Sequence, residues 1–281
     1  LPLALFLLTF VITFQRKPII PHKLMLAIQP LAISALVVSM LVPLQEKYWI
    51  AFTALHLTVF FICTMICHGE LVRRRPEAVN LTSFYLWMSF GGALGGFFTG
   101  LVAPQVFSTI HEYPLMLVLA LLCRPGIFTT DKRSLFSDIT IAVALFMVAT
   151  APKLLVGVEL VADAPKVYIG IVALLACAII LSRPKPARLA AIVAVAIISA
   201  NILAPEYTKG TNHRGFFGVI KVVDTPDGNF RLMKHGTTLH GAQALSAGDS
   251  PIPEPLTYYH HNGPFADVIE TARVNGPVRN V

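Results

Sequence analysis

HLTVFFICTMICHGELVRRRPEAVNLTSFYLWMSFGGALGGFFTG, residues His56–Gly100, decides the fold class. An apolar run ends in three arginines and a proline, and a second apolar run follows at once. Each run approaches the roughly 20 residues that a helix needs to cross the hydrocarbon core of a bilayer. The triplet Arg73, Arg74 and Arg75 must stay at the water interface. Working outward, similar runs recur at 1–14, 24–43, 48–68, 81–103, about 110–123, 136–151, 166–182 and 188–204, each closed by charged or proline-containing turns. In lipid an unpaired backbone group has no water to bond, so such runs are expected to be helices.

Composition agrees. Hydrophobic residues make up 55% of the 281 and charged residues only 13%, against about a quarter charged in soluble domains. Lys and Arg gather in alternate loops: Arg16, Lys17, Lys23; Arg73 to Arg75; Arg124, Lys132, Arg133; Arg183, Lys185, Arg188. The intervening loops hold only Lys47, Lys153 and Lys166. This positive-inside pattern puts the basic loops in the cytoplasm; eight crossings leave the chain beyond residue 204 outside, whereas a short segment such as 110–123 that does not cross would keep it inside. Residues 1–204 hold 15 Lys+Arg against 8 Asp+Glu, and residues 205–281 hold 7 of each. The positive charge thus belongs to the membrane part, which argues for the cytoplasmic leaflet as partner and against nucleic acid. The expected fold class is mainly α, a polytopic transmembrane helical bundle of about eight helices over 1–204, with a small β-hairpin-rich domain over 205–281. Leu1 enters an apolar run with neither Met nor a basic region before it, so the start does not read as a signal peptide but as the inside of a helix.

Within the membrane part, Gly92 with Gly96 and Gly96 with Gly100 are small-xxx-small pairs suited to close helix packing. They lack the G-x-G-x-x-G spacing and the preceding strand of a nucleotide loop. Cys63, Cys67, Cys123 and Cys177 all lie in apolar runs and read as packing residues, not as a disulfide framework. His56 is the one ionisable residue central to a run and reads as a hydrogen-bonded interior histidine. Glu112 suits the start of the fifth helix.

After Pro205 the pattern changes. GFFGVIKVVD reads as a strand, TPDGN as a turn, FRLMKHG as the returning strand and TTLH as a third. GAQALSAGDSPIPEP reads as loop; a turn at Asn262-Gly263-Pro264 then opens a short amphipathic helix bearing Phe265, Val268 and Ile269. Five histidines, 213, 235, 240, 260 and 261, lie in this part, yet no H-x-x-x-H or C-x-x-C pair supports a metal site.

RGFFGVIKVVDTPDGNFRLMKHGTTLHGAQ followed by PEPLTYYHHNGP resembles the N-terminal β-domain of spermidine synthases, the polyamine aminopropyltransferases. The likeness is closer to the bacterial membrane-fused members, in which a major-facilitator-like helical segment precedes that domain, and the quoted His56–Gly100 segment resembles their membrane part. The resemblance implies a bacterial inner-membrane protein whose co-substrate is decarboxylated S-adenosylmethionine. It implies a polyamine ligand and a homo-oligomer formed through the β-domain. Residue by residue it carries over Gln243 near the co-substrate, and Tyr259 and His260 against the polyamine. His261 stands where the family's motif has Glu, which removes a carboxylate from a site for a cationic amine. The family's glycine-rich loop, ribose-binding acid and catalytic Asp lie in a Rossmann-like domain with no counterpart in residues 1–281. No catalytic residue is therefore assigned, and residues 1–281 alone are expected to be inactive. The differing reading is a transporter or scaffold whose β-domain serves binding or assembly.

Overall fold

The computed structural model describes residues 1–41, 48–127, 132–157, 160–204, 210–236, 238–245 and 255–274. It is mainly helical with a small antiparallel sheet toward the C-terminus. The helices are α1 (Pro2–Phe14), α2 (His22–Leu41), α3 (Trp49–Arg73), α4 (Leu81–Phe97), α5 (Ala103–Val106), α6 (Glu112–Leu122), α7 (Lys132–Val156), α8 (Leu160–Asp163), α9 (Pro165–Leu181), α10 (Pro186–Leu203) and α11 (Pro264–Val274). A π-helical turn at Phe98–Val102 joins α4 to α5, so that apolar helix runs on over Ala78–Val106. Five helices have membrane length and apolarity: α2, α3, 78–106, 133–156 and 186–203. Each remaining apolar run of the sequence matches a shorter helix: α1, α6 or α9. Lys47, Glu159 and the stretches 246–254 and 275–281 lie outside the described residues.

The chain forms two compact units, Leu1–Ala93 with Glu112–Ala204, and Leu94–His111 with Pro205–Val281. The second unit thus takes in a piece of chain from the middle of the helical sequence. In the first unit α10 is central and packs on α7, α6, α2 and α9, while α3 packs on α2 and α1. Its core holds Leu36, Leu175, Ile179, Leu189, Ile192 and Val193. In a bilayer, whose lipid is as apolar as leucine, burial would not by itself pull helices together; close packing and polar contacts would. Ala190, Ala196 and Ser199 of α10 and Ala149 of α7 are buried and let backbones approach.

Those polar contacts fix which end is which. His22 Nε2 and Arg73 Nη1 meet Glu70 Oε1 at 2.7 and 2.8 Å. Pro30 has no N–H and cannot bond the carbonyl of Leu26 one turn earlier. Arg124 Nη1 takes that carbonyl at 3.1 Å and also donates to Gln29 Oε1. Arg188 Nε donates to Asp138 Oδ1 at 2.7 Å. All three sets join ends of helices that flank basic loops. At the far end of α7, Lys153 Nζ donates to the carbonyl of Ala204 at 3.0 Å. α7 and α10 therefore run parallel, and the chain leaves α10 about 24 Å from the Asp138–Arg188 pair at 1.5 Å per residue. His56 Nδ1 lies 2.7 Å from Tyr113 Oη, which satisfies the interior histidine read from the sequence.

The glycine pairs are not seen packing: among the described residues, a side chain placed at Gly91, Gly92, Gly95, Gly96 or Gly100 would meet nothing within 4 Å. The sequence offered the small residues, but packing also needs a partner of matching shape.

The sheet is a meander, β1 (Thr211–Gly215), β2 (Gly218–Asp224), β3 (Phe230–His235), β4 (Thr238–Ala244) and β5 (Pro255–Thr257), in that spatial order. Two strand readings need correction. GFFGVIKVVD is not one strand, because Phe216 and Phe217 turn between β1 and β2, where Gly218 at φ 127° takes a conformation closed to other residues. Gly241 to Ala244 are strand rather than loop, and Pro255 to Thr257 add a fifth strand; both pair with distant residues that local composition does not reveal. Thr237 of the TTLH reading is outside the described residues. The Thr225–Asn229 turn is as read, with Gly228 at φ 69° and Asp227 Oδ1 accepting from the Asn229 amide at 3.2 Å. The helix read after Asn262-Gly263-Pro264 is α11.

Candidate ligand groove of the sheet

Strand pairing brings the site together. Asp224 opposes Arg231, Arg231 opposes Gln243, and Gln243 opposes Pro255, so these four form one cross-strand row. The next row on that face is Val222, Met233, Gly241 and Thr257. Side chains of one face repeat every second residue, which is why both rows project the same way. Between Met233 and Lys234 the register shifts, and this bulge lets β4 re-aim its far end.

Thr257 ends β5 at φ 64°, a left-handed conformation that is unusual for a β-branched residue. Its Oγ1 donates to the carbonyl of His240 at 3.3 Å, which holds the reversed chain against β4. The reversal brings Tyr259 back over the sheet. Its ring edge would lie 3.7 Å from a side chain at Gly241, so the bare glycine leaves room for the ring. Phe265 of α11 supports Tyr259 from behind, ring centroids 5.5 Å apart.

The result is a groove of about 350 Å³ lined by Val222, Arg231, Met233, Gly241, Ala242, Gln243, Pro255 and Tyr259. That is within the size range of small-molecule sites, roughly 300–1,000 Å³. Gln243 and Tyr259 both line it. His260 does not: it sits in the following turn, its ring 4.1 Å from that of His261 and its Nδ1 accepting from the Asn262 amide at 3.1 Å. The resemblance put it in one site with Tyr259, but the chain turns after Thr257, and His260 is bonded into that turn instead of facing the sheet.

Sequence reading missed Arg231 and Met233. A usable signal was present: with Thr225 and Phe230 closing the turn around residues 226–229, positions 224 and 231 become cross-strand partners, so an Asp and an Arg there form a pair. Arg231 Nε and Nη2 donate to Asp224 Oδ1 and Oδ2 at 2.7 and 3.0 Å, a two-pronged contact. The hydrogen bond from Arg231, ahead of its charge, holds the Asp224 carboxyl below the usual carboxylate range and raises the guanidinium in turn. None of the lining residues is a carboxylate, so a ligand meets an aromatic face, a side-chain amide, a thioether and a partly neutralised guanidinium. That set suits a flat heterocycle with hydrogen-bonding edges better than a bare polyammonium chain.

On the opposite face Lys221 and Lys234 stand directly across from each other. Burial first, and Lys234 second, push the Lys221 ammonium below its ordinary value. Among the described residues no group of three His, Cys, Asp or Glu is placed to hold a metal ion. Comparison of the chain with models of known protein families, with curated proteins and with solved structures finds no match.

Proposed function

We propose that this chain is a membrane-anchored, spermidine synthase-like protein whose β-sheet groove binds a small molecule of the adenosyl-amine class, decarboxylated S-adenosylmethionine being the type ligand. The observation that carries this reading is the convergence of Gln243 and Tyr259 on one groove. In this reading Tyr259 stacks on the ring or faces the sulfonium, Gln243 hydrogen-bonds a polar edge, and Met233 lines the floor. A polyamine finds no carboxylate among the residues lining the groove, since Asp224 beside it is held by Arg231, and His261 stands at the motif's Glu position.

A specific observation favours binding or assembly over aminopropyl transfer. Asp138–Arg188 and Lys153–Ala204 mark the two ends of α7 and α10, and the chain leaves at the end opposite the arginine-rich loops. Arg124, just after the short α6, reaches Leu26 and Gln29 at the basic end, which supports counting α6 as a return across the bundle. Both support a sheet on the non-cytoplasmic side, where decarboxylated S-adenosylmethionine stands only for the chemical class of the ligand and is not supplied as a co-substrate for transfer.

Two measurements test the reading. Isothermal titration of the purified chain in detergent with decarboxylated S-adenosylmethionine, and separately with spermidine, should show heat for the first. Gln243→Leu and Tyr259→Ala should each weaken that binding at least tenfold, and absence of binding to the parent chain refutes the ligand class. A side-specific reporter fused after Val281 should be active outside; activity inside restores aminopropyl transfer as the leading function.

A further inference from the structure

The β1–β2 hairpin ends in two phenylalanines with almost nothing covering them: Phe216 is 96% exposed and Phe217 87% exposed. A tight turn needs no aromatic residue, and polar ones serve it better. The tip is nonetheless built firmly. Gly215 and Gly218 close it, the two rings meet edge to face with centroids 5.3 Å apart, and His235 Nε2 lies 3.0 Å from the carbonyl of Phe217.

Its strand is tied to the end of a long apolar helix. Arg214, two residues before the tip, donates from Nη1 to the carbonyl of Thr109 at 2.6 Å. Thr109 follows Val106, the last residue of the membrane-length helix 78–106, by only three positions, and Ile110 beside it is 61% exposed. Arg214 and Thr109 belong to the same compact unit. The tip is thus about 7 Å along the strand from an arginine bonded to the boundary of a spanning helix. The headgroup region on each side of the hydrocarbon is of about that thickness. Aromatic rings favour this zone, with arginine beside them at the level of the phosphates.

We propose that the Phe216–Phe217 tip is a wedge that enters the bilayer interface next to the end of helix 78–106, with Arg214 at headgroup level, so that the sheet is held on the lipid surface. The wedge does not depend on the ligand of the groove or on which side of the membrane the sheet occupies.

The test uses the full chain reconstituted in vesicles of zwitterionic phospholipid, with Phe217 replaced by photoreactive p-benzoyl-phenylalanine. Asn229, in the exposed turn at the far end of β2 and so about 24 Å from the tip, carries the same probe in a second sample. The expected result is a lipid adduct at position 217, read by mass, in at least fivefold higher yield than at position 229. Equal yields at the two positions, or no lipid adduct at 217, overturn the wedge. A chain-to-chain crosslink at 217 in place of the lipid adduct also overturns it and assigns the tip to a second copy.

Discussion

Replacing Arg188 by Leu removes the partner of a carboxylate that has no other place to go. The Asp138 side chain is 5% exposed and that of Arg188 21%, with Nε and Oδ1 2.7 Å apart and Nη2 also reaching Ser137 Oγ at 3.4 Å. Leaving a buried charge unpaired costs about 3–5 kcal/mol. The reverse change, Asp138→Asn, keeps the shape and an acceptor oxygen. Arg188 lies in the first turn of α10, from which its long side chain can reach the interface. That variant should lose only about 1 kcal/mol, the worth of an ordinary hydrogen bond. The burial difference thus predicts an asymmetry of at least about 2 kcal/mol between two deletions of one contact. The double variant should be more stable than Arg188→Leu alone, since the charge that the leucine strands is gone. Equilibrium unfolding of the four proteins, titrated from mild detergent into dodecyl sulfate, measures all of these. Equal losses from the two single variants, or a loss from Arg188→Leu below about 1 kcal/mol, would refute the idea that burial of Asp138 sets the cost.

Other outcomes follow from the sheet. The Asp224 carboxyl is held low by Arg231, so the pair contributes fully above the ordinary carboxylate value of about 3.9 and loses its contribution as pH falls through the lower folded value. Titration of the Asp224 carboxyl by NMR should show that low value, and Arg231→Gln should return it toward the ordinary one. Lys234→Glu turns a repelling cross-strand pair into an attracting one and should stabilise β2–β3 by about 0.2–1 kcal/mol, seen as slower amide exchange at Val222 and Leu232; faster exchange counts against the pairing. Gly241→Phe should fill the groove against Met233 and Tyr259, abolishing ligand binding while leaving the far-ultraviolet circular dichroism of the chain unchanged.

Much of the architecture is legible without coordinates because it rests on local chemistry. A helix pairs its own backbone groups, so a long apolar run bounded by charge declares itself as one, as the residues between His56 and Gly100 do. The Thr225–Asn229 turn is equally local, since Pro, Asp and Gly each restrict or free one backbone angle there. Local reading fails where the partner is far away. Nothing near Gly241 announces that it pairs with Met233 on one side and Thr257 on the other, and so it read as loop. Nothing near Phe216 and Phe217 shows that they turn rather than extend, because the same residues suit a strand that has a partner.

By itself the sequence determined the long apolar helices and the turn between β2 and β3, and a family resemblance pointed to Gln243 and Tyr259. Tertiary structure alone decided that His260 stays out of the groove, that Met233 lines it, and that Arg124 takes the carbonyl that Pro30 leaves free. The division has one physical reason. Hydropathy and backbone restriction act over a few residues, whereas a site is a coincidence of side chains whose meeting depends on strand register and helix packing.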